Sequence, residues 1–460
     1  MENSPHTTVG KRQQGSSGAH RKSALKLGVS GAARRIIAWE PLYALPAIAL
    51  LLLHPDISSW VGNYSYERGD FLPWLIGLPL VALPWVLRWV YVGRPTQRTP
   101  FDLGMTLFIL GAILGLYPSI DWPTSAARLS GVMGSLALFY LLVNNMSTRR
   151  LPFYVAGTIL VATGAMLYVM SLMGFMYPDG PISRGLRPLL FWFDQFPRPR
   201  ADVFDANQRF FIHPNGLADF AVLLVPLLSG LTLSWGTRLL RLLSAIGALT
   251  LILLLLATGS RGGIIGLAAG LLFMAGIAGR RYWPVLGLLA GLVLALLFGG
   301  FVGKGTDAGR LLQSQTLESR EAVWQDYWPL AEEFPYTGAG LGMKNTALTY
   351  ALYQSLTNPY EIPHSHNLYL QTYLEQGILG ALGLLLISGA AGITFWRLRR
   401  VSQRPYRAVA LGSLGAFIGL SVHGMFDAVG ASNLGTAMLM VPLGLAAAVH
   451  SLAGRRKTSP

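Results

Sequence analysis

The chain has 460 residues, of which 52% are hydrophobic and only 12% charged, and its formal net charge is +15. A water-soluble chain would carry roughly 25% charge, so this composition excludes an ordinary soluble domain. Cysteine is absent, which excludes disulfides, thiolate catalysis and cysteine metal sites.

Residues 1–36 are polar, rich in Gly and Ser, and basic. No apolar stretch follows the early charges, so they are expected to form a disordered cytoplasmic tail and not a signal peptide. The apolar runs that follow reach the roughly 20 residues needed to cross a bilayer. They predict an all-α polytopic membrane protein of about 12 spans, at 37–54, 71–92, 103–117, 128–146, 153–176, 214–235, 242–258, 263–279, 284–302, 367–396, 408–426 and 434–453. A β-barrel would show short alternating segments instead. The first and third runs are broken or short.

Basic residues gather in short loops: Arg149 with Arg150, Arg238 with Arg241, Arg280 with Arg281, Arg397 to Arg407, and the tail 454–460 with Arg455 to Lys457. The positive-inside rule puts these loops and both termini in the cytoplasm. The net charge therefore reads as a topology signal and not as a nucleic-acid footprint.

Two outer segments are long, 177–213 and 303–366, and loops of that length are usually functional or disordered. The domain plan is thus nine spans over 37–302, a large periplasmic loop over 303–366, and three spans over 367–453. Within the large loop, ESREAVWQDYWPLAEE (318–333) predicts an amphipathic helix with Val323, Trp324, Tyr327, Trp328 and Leu330 on or near one face. Phe334-Pro335 ends it, and Gly338, Gly340 and Gly342 permit a tight turn. No internal repeat is evident.

Polar residues stranded at the outer surface carry the chemistry. Arg261, in TGSRGG (258–263), sits on the wrong side for the positive-inside rule. It is read either as an anion-binding residue facing a cavity or as one that snorkels to lipid headgroups. Arg320 lies near a helix N-terminus, where the dipole disfavours a cation, so an external anion is a sensible partner; a surface pair with Glu318 or Glu321 is the alternative. Arg209 and His213 lie just before the sixth span, Pro214 suits its first turn, and Asp219 lies about a turn inside. Asp219 is expected to face protein or water, as an arginine's partner or as a catalytic group.

HSHNLYLQTYLEQGILG (364–380) opens the tenth span. His366 can be a general base, a metal ligand or a helix cap. His364 and His366 are two apart and do not share a helical face, and only Glu361 and Glu375 lie near as further ligands, so a metal site is weakly supported. Arginines, one base and aromatic residues together suit a doubly charged, oxygen-rich anion, such as a lipid-linked diphosphate at the bilayer surface. The two phosphates would leave together in a sugar transfer, with arginines stabilising the charge that develops.

These residues resemble the O-antigen ligase family. His366-Asn367, nine residues, Gly377, two residues and Gly380 fit its H-N/S/Q-x9-G-x-x-G/T/Y signature. Counting from His364 puts Glu375 where glycine is required. TGSRGG, HPNGLA (213–218) and SREAVWQDYWPLAEEFPYTGAGLG (319–342) are similar to further segments of the O-antigen ligase and polymerase superfamily, in the same order. The resemblance covers residues 200–395; the N-terminal half matches in hydropathy only.

The resemblance implies a C-type glycosyltransferase architecture in the bacterial inner membrane, with the active site on the periplasmic face. It implies transfer of undecaprenyl-diphosphate-linked O-antigen to lipid A–core oligosaccharide, with no metal or other cofactor and with inversion at the anomeric carbon. By motif position His366 is the base and Arg261 and Arg320 bind the diphosphate, with Arg209 as a weaker diphosphate-binding transfer and His213 and Asn215 as weaker supporting ones. Asp219, His364 and Asn367 are supporting candidates by their place beside these residues, and His364 either positions His366 or merely meets water. O-antigen polymerases and protein O-oligosaccharyltransferases use the same donor type, and the modest C-terminal region favours the ligase. A transporter of lipid-linked sugars is the rival outside enzymology; the one-sided placement of the polar residues speaks for chemistry at a surface. Sugar identity and oligomeric state are not encoded legibly.

Overall fold

The computed structural model describes residues 31–60, 72–146, 150, 154–164, 214–234, 237–258, 260–280, isolated positions between 283 and 291, 315–354 and 364–455. Among them the chain is helical and without strands. Twelve helices are α1 (Glu40–Trp60), α2 (Leu72–Val92), α3 (Asp102–Leu114), α4 (Trp122–Met146), α5 (Pro214–Ser234), α6 (Arg238–Thr258), α7 (Arg261–Ala278), α8 (Gln315–Glu333), α9 (Met343–Gln354), α10 (Leu368–Leu398), α11 (Arg404–His423) and α12 (Asn433–Arg455).

Eight of the described helices are long and apolar enough to cross a membrane: α2, α4, α5, α6, α7, α10, α11 and α12. A ninth span arises if the bent pair Gly31–Ala38 and Glu40–Leu52 is counted as one. The expected third span is the 13-residue α3, about 20 Å long and too short to cross a 30 Å core alone. The expected fifth span is described only over Tyr154–Gly164. The expected ninth span at 284–302 lies outside the described residues apart from isolated positions, as does the segment 177–213.

Close packing around α11 organises the bundle. It packs on α7, α5 and α12, while α10 packs on α3 and α12 on α4. Helices in lipid gain little from hydrophobicity against one another, so small residues that let backbones touch decide these contacts. A Cβ on Gly266 of α7 would lie 2.5 Å from the Gly419 carbonyl of α11, and one on Gly270 would overlap the Gly415 carbonyl.

At the basic end, arginines meet helix C-termini. Arg407 donates to the Ala278 carbonyl at 2.5 Å and Arg241 to the Thr232 carbonyl at 2.8 Å, satisfying orphan acceptors where the dipole favours a cation. Buried Glu40 is held by Arg88 and by Asn145.

At the other end, α8, the 334–342 turn, α9 and the start of α10 form a small core of their own around Tyr327, Leu330, Ala339, Tyr350 and Leu374. Tyr327 stacks on Tyr350 with ring centroids 4.5 Å apart. The predicted amphipathic helix is present, though it begins at Gln315 and its face is narrower than expected. Trp328 is 55% exposed and donates to Glu332, because it sits about 100° round the helix from buried Tyr327. The helix ends at Glu333, before Phe334-Pro335, and Gly338, Gly340 and Gly342 all take positive φ, as the expected turn requires. The α9 helix was not anticipated.

That turn docks into a break in α10. Gly377 has φ 60° and ψ −160°, which interrupts the helix. The Ile378 amide donates to the Pro335 carbonyl at 2.8 Å and the Ala339 amide to the Leu374 carbonyl at 2.6 Å. A Cβ on Gly377 would overlap the Tyr336 carbonyl. Gly377→Ala is therefore expected to lose at least the roughly 1–3 kcal/mol that an L-residue pays in this backbone region, readable as a lower unfolding midpoint in detergent.

Candidate functional site

Four chain segments converge at the end of the bundle opposite the arginine caps: the starts of α5, α7 and α10 and the turn after α11. The start of α10 is fixed first. Asn367 is its N-cap, its side chain accepting from the Tyr369 and Leu370 amides at 2.9 and 3.1 Å. The capping role thus falls to Asn367, and His366 is left free of it. The Leu368 amide donates to the Gly424 carbonyl at 2.7 Å and the Tyr369 hydroxyl to the Ser421 carbonyl at 3.0 Å, which ties α10 to the end of α11.

Ser365, between the two histidines, is fully buried and gripped from both sides. Its amide donates to Gln371 Oε1 at 3.1 Å, and its carbonyl accepts from the Trp324 indole at 2.9 Å. His366 has φ 50°, the only positive φ at a non-glycine among the described residues. Such a conformation persists only where surroundings impose it, which makes His366 a candidate for a functional position.

The His366 ring faces groups that are remote in sequence. Its Nδ1 lies 3.6 Å from Asp427 Oδ1, an ion-pair approach longer than a formed hydrogen bond. The His364 ring centroid lies 4.0 Å from that of His366, and His364 Nδ1 accepts from the His366 amide at 3.2 Å. Burial alone would raise the Asp427 pKa, but His366, His423, His364 and the Ala428 amide outweigh it and hold the carboxyl well below the usual range. Asp427 is therefore ionised. His423, 1% exposed, places its Nδ1 2.9 Å from Asp219 Oδ1. Asp219 thus has a histidine partner that its sequence position did not suggest.

Arg261 is the first residue of α7, behind the N-cap Ser260. The Ser260 hydroxyl donates to Asn215 Oδ1 at 2.9 Å, joining TGSRGG to the entry of α5. Gly262 lets α7 approach His423, since a Cβ there would sit 2.9 Å from the imidazole. Arg320 stands one turn before Trp324 on α8, on the face that reaches Ser365. Burial lowers the Arg320 pKa and the Asp427 carboxylate opposes this, leaving a cation. Arg320 lies close enough to Arg261 for the two guanidinium charges to repel each other. Two cations beside a helix N-terminus could accommodate an anion of more than one charge.

The structure thus brings Arg261, Arg320, His366, His364, Asn367, Asn215 and Asp219 to one end. Arg209, His213 and Glu361 lie outside the described residues. Glu375, weighed as a ligand, is buried and paired with Arg128 at 3.1 Å. His364, His366 and Asp427 offer ligand atoms within 4.8 Å of one another, an arrangement able to hold a cation, although one ring nitrogen of His364 is already engaged. Sequence reasoning missed Asp427 and His423; the signal was HGMFDA (423–428), titratable residues at an outer helix mouth like Arg261.

Residues 246–385 match the family model described as O-Antigen ligase. The match takes in Arg261, Arg320, His366, Gly377 and Gly380, while Asp219, His423 and Asp427 lie outside it. No curated protein matches the chain.

Proposed function

We propose that the O-antigen ligase domain carried by residues 246–385 makes this chain an O-antigen ligase, joining a polyprenyl-diphosphate-linked O-antigen to a sugar hydroxyl of lipid A–core. The observation that carries this is the convergence of Arg261, Arg320 and a His366–Asp427 pair at one end of the bundle. The positive-inside rule, applied to the arginine-rich opposite end, puts this end in the periplasm of a bacterial inner membrane.

In this mechanism the donor's diphosphate rests against Arg261 and Arg320, with the α7 N-terminus behind them. Asp427 holds the proton of His366 on Nδ1, which leaves the Nε2 lone pair to accept the acceptor's hydroxyl proton. The oxygen attacks the anomeric carbon, the carbon–oxygen bond to the diphosphate breaks, and the leaving electron pair settles on phosphate oxygens facing the two cations. One displacement inverts the anomeric centre.

Asp427→Asn is expected to slow transfer by about 10- to 100-fold, less than loss of His366, because it misplaces a proton that the imidazole can still carry. Single Arg261→Ala and Arg320→Ala variants are each expected to lose about 10²- to 10³-fold, the range for removal of one charge-stabilising donor, with lysine recovering part of it. Assays with purified lipid-linked donor and lipid A–core measure all three. Protein dialysed against a chelator is expected to keep its activity, since arginines fill the metal's role.

Deleting the gene tests the physiological reading. Loss of the lipopolysaccharide ladder on a gel, with lipid-linked polymer accumulating, is the expected result. A core bearing a single repeat would instead mean a polymerase. An intact ladder with lost protein glycosylation would mean a protein-directed transferase.

A further inference from the structure

A cavity lies at the far end of α10, 30 or more residues beyond His366 along the chain and about 40 Å away by helix rise. Its volume is about 580 Å³, within the range of small-molecule sites. Trp396 and Arg397 from the end of α10, Arg400 just beyond it, Tyr406 from α11, and His450 and Leu452 from α12 line it. Arg397 and His450 thus border the same cavity from two helices.

The surroundings select the ligand. Ile393 and Trp396 on the adjoining stretch of α10 are 55% and 59% exposed, and exposed apolar surface at the end of a membrane helix faces acyl chains. A free aqueous anion would use the arginines and leave the apolar wall unmatched. An amphiphile uses both. The terminal segments 1–30 and 456–460 carry the same positive sign as the arginines, so charge does not draw them in.

We propose that this cavity binds an anionic glycerophospholipid, its phosphate on Arg397 and Arg400 and its acyl chains along the apolar wall, as basic pockets between membrane helices do. The site is independent of the chemistry at the other end and serves to anchor α10, α11 and α12 together there.

The test uses the full-length protein in nanodiscs of phosphatidylcholine, with and without phosphatidylglycerol. Phosphatidylglycerol is expected to raise the thermal unfolding midpoint by several degrees, and inorganic phosphate is expected not to. The double variant Arg397→Gln/Arg400→Gln is expected to lose that rise. Leu452→Trp, which fills the cavity and keeps both arginines, is expected to lose it too, separating a built site from general attraction of a basic protein to anionic lipid. Equal midpoints for wild type in the two lipids, an equal rise from inorganic phosphate, or a rise that persists in Leu452→Trp would each overturn the proposal. The wild-type comparison and Leu452→Trp decide the matter even if the arginine variant does not fold.

Discussion

Replacing His366 by alanine is expected to slow transfer by about 10²- to 10⁴-fold, the contribution of a positioned general base, with normal amounts of folded protein. Stability should change little because the helix cap is Asn367 and the loop is held through Ser365, so the His366 side chain supports neither. The positive φ at this residue complicates alanine alone. His366→Asn removes the base with a side chain that tolerates φ above zero, so it separates chemistry from backbone strain. Both variants should lose activity together. Full ligation by either folded variant would remove His366 from the mechanism.

The second large effect is structural and concerns Arg128. This residue of α4 is 6% exposed and joins five partners: Glu375 Oε2 at 3.1 Å, the Ser432 carbonyl at 3.1 Å, Asn433 Oδ1 at 3.4 Å, Thr436 Oγ1 at 2.9 Å and the Gly430 carbonyl at 2.6 Å. Glu375 in turn accepts from Gln371, whose other amide atom holds the Ser365 amide. One buried cation therefore links α4, the turn before α12, and the peptide beside His366. Arg128→Ala would leave Glu375 charged and unpaired in the interior, at a cost of about 3–5 kcal/mol. It is expected to drop the unfolding midpoint sharply or to abolish folded yield. Arg128→Met with Glu375→Leu removes both charges and is expected to recover much of that loss, because a matched apolar pair avoids the desolvation penalty. Failure of the double variant to improve on Arg128→Ala would show that Arg128 matters chiefly through its carbonyl partners.

The sequence made much of this visible, and the reasons are physical. Apolar runs near 20 residues impose membrane helices because lipid leaves no other way to satisfy the backbone, so α4 to α7 and α10 to α12 could be placed in advance. Short α3 and α9 resist such reading: α3 is apolar but too short to cross, and α9 shows no one-faced pattern. At the site, Arg261, Arg320 and His366 stood out because a polar group at a membrane surface is costly unless it has a task. Gly377 and Gly380 were legible as a spacing; their cause, a turn inserted at a helix break and the close approach of α3 at Gly111, needed coordinates. The partners were hidden for a different reason. Asp427 lies 61 residues after His366 and Glu375 lies 247 after Arg128, and nothing local couples such positions. Glu375 offered only weak support for a metal site by its nearness in sequence to two histidines, and α10 places it on the side facing α4, where Arg128 holds it.

The measurement closest to the central claim is a transfer assay with the purified protein, lipid-linked O-antigen and lipid A–core, in vesicles free of other enzymes. The account predicts a covalent product of the two, free polyprenyl diphosphate in equal amount, and an inverted anomeric centre. Donor recovered intact on the opposite leaflet, with its glycosidic bond unbroken, would contradict it.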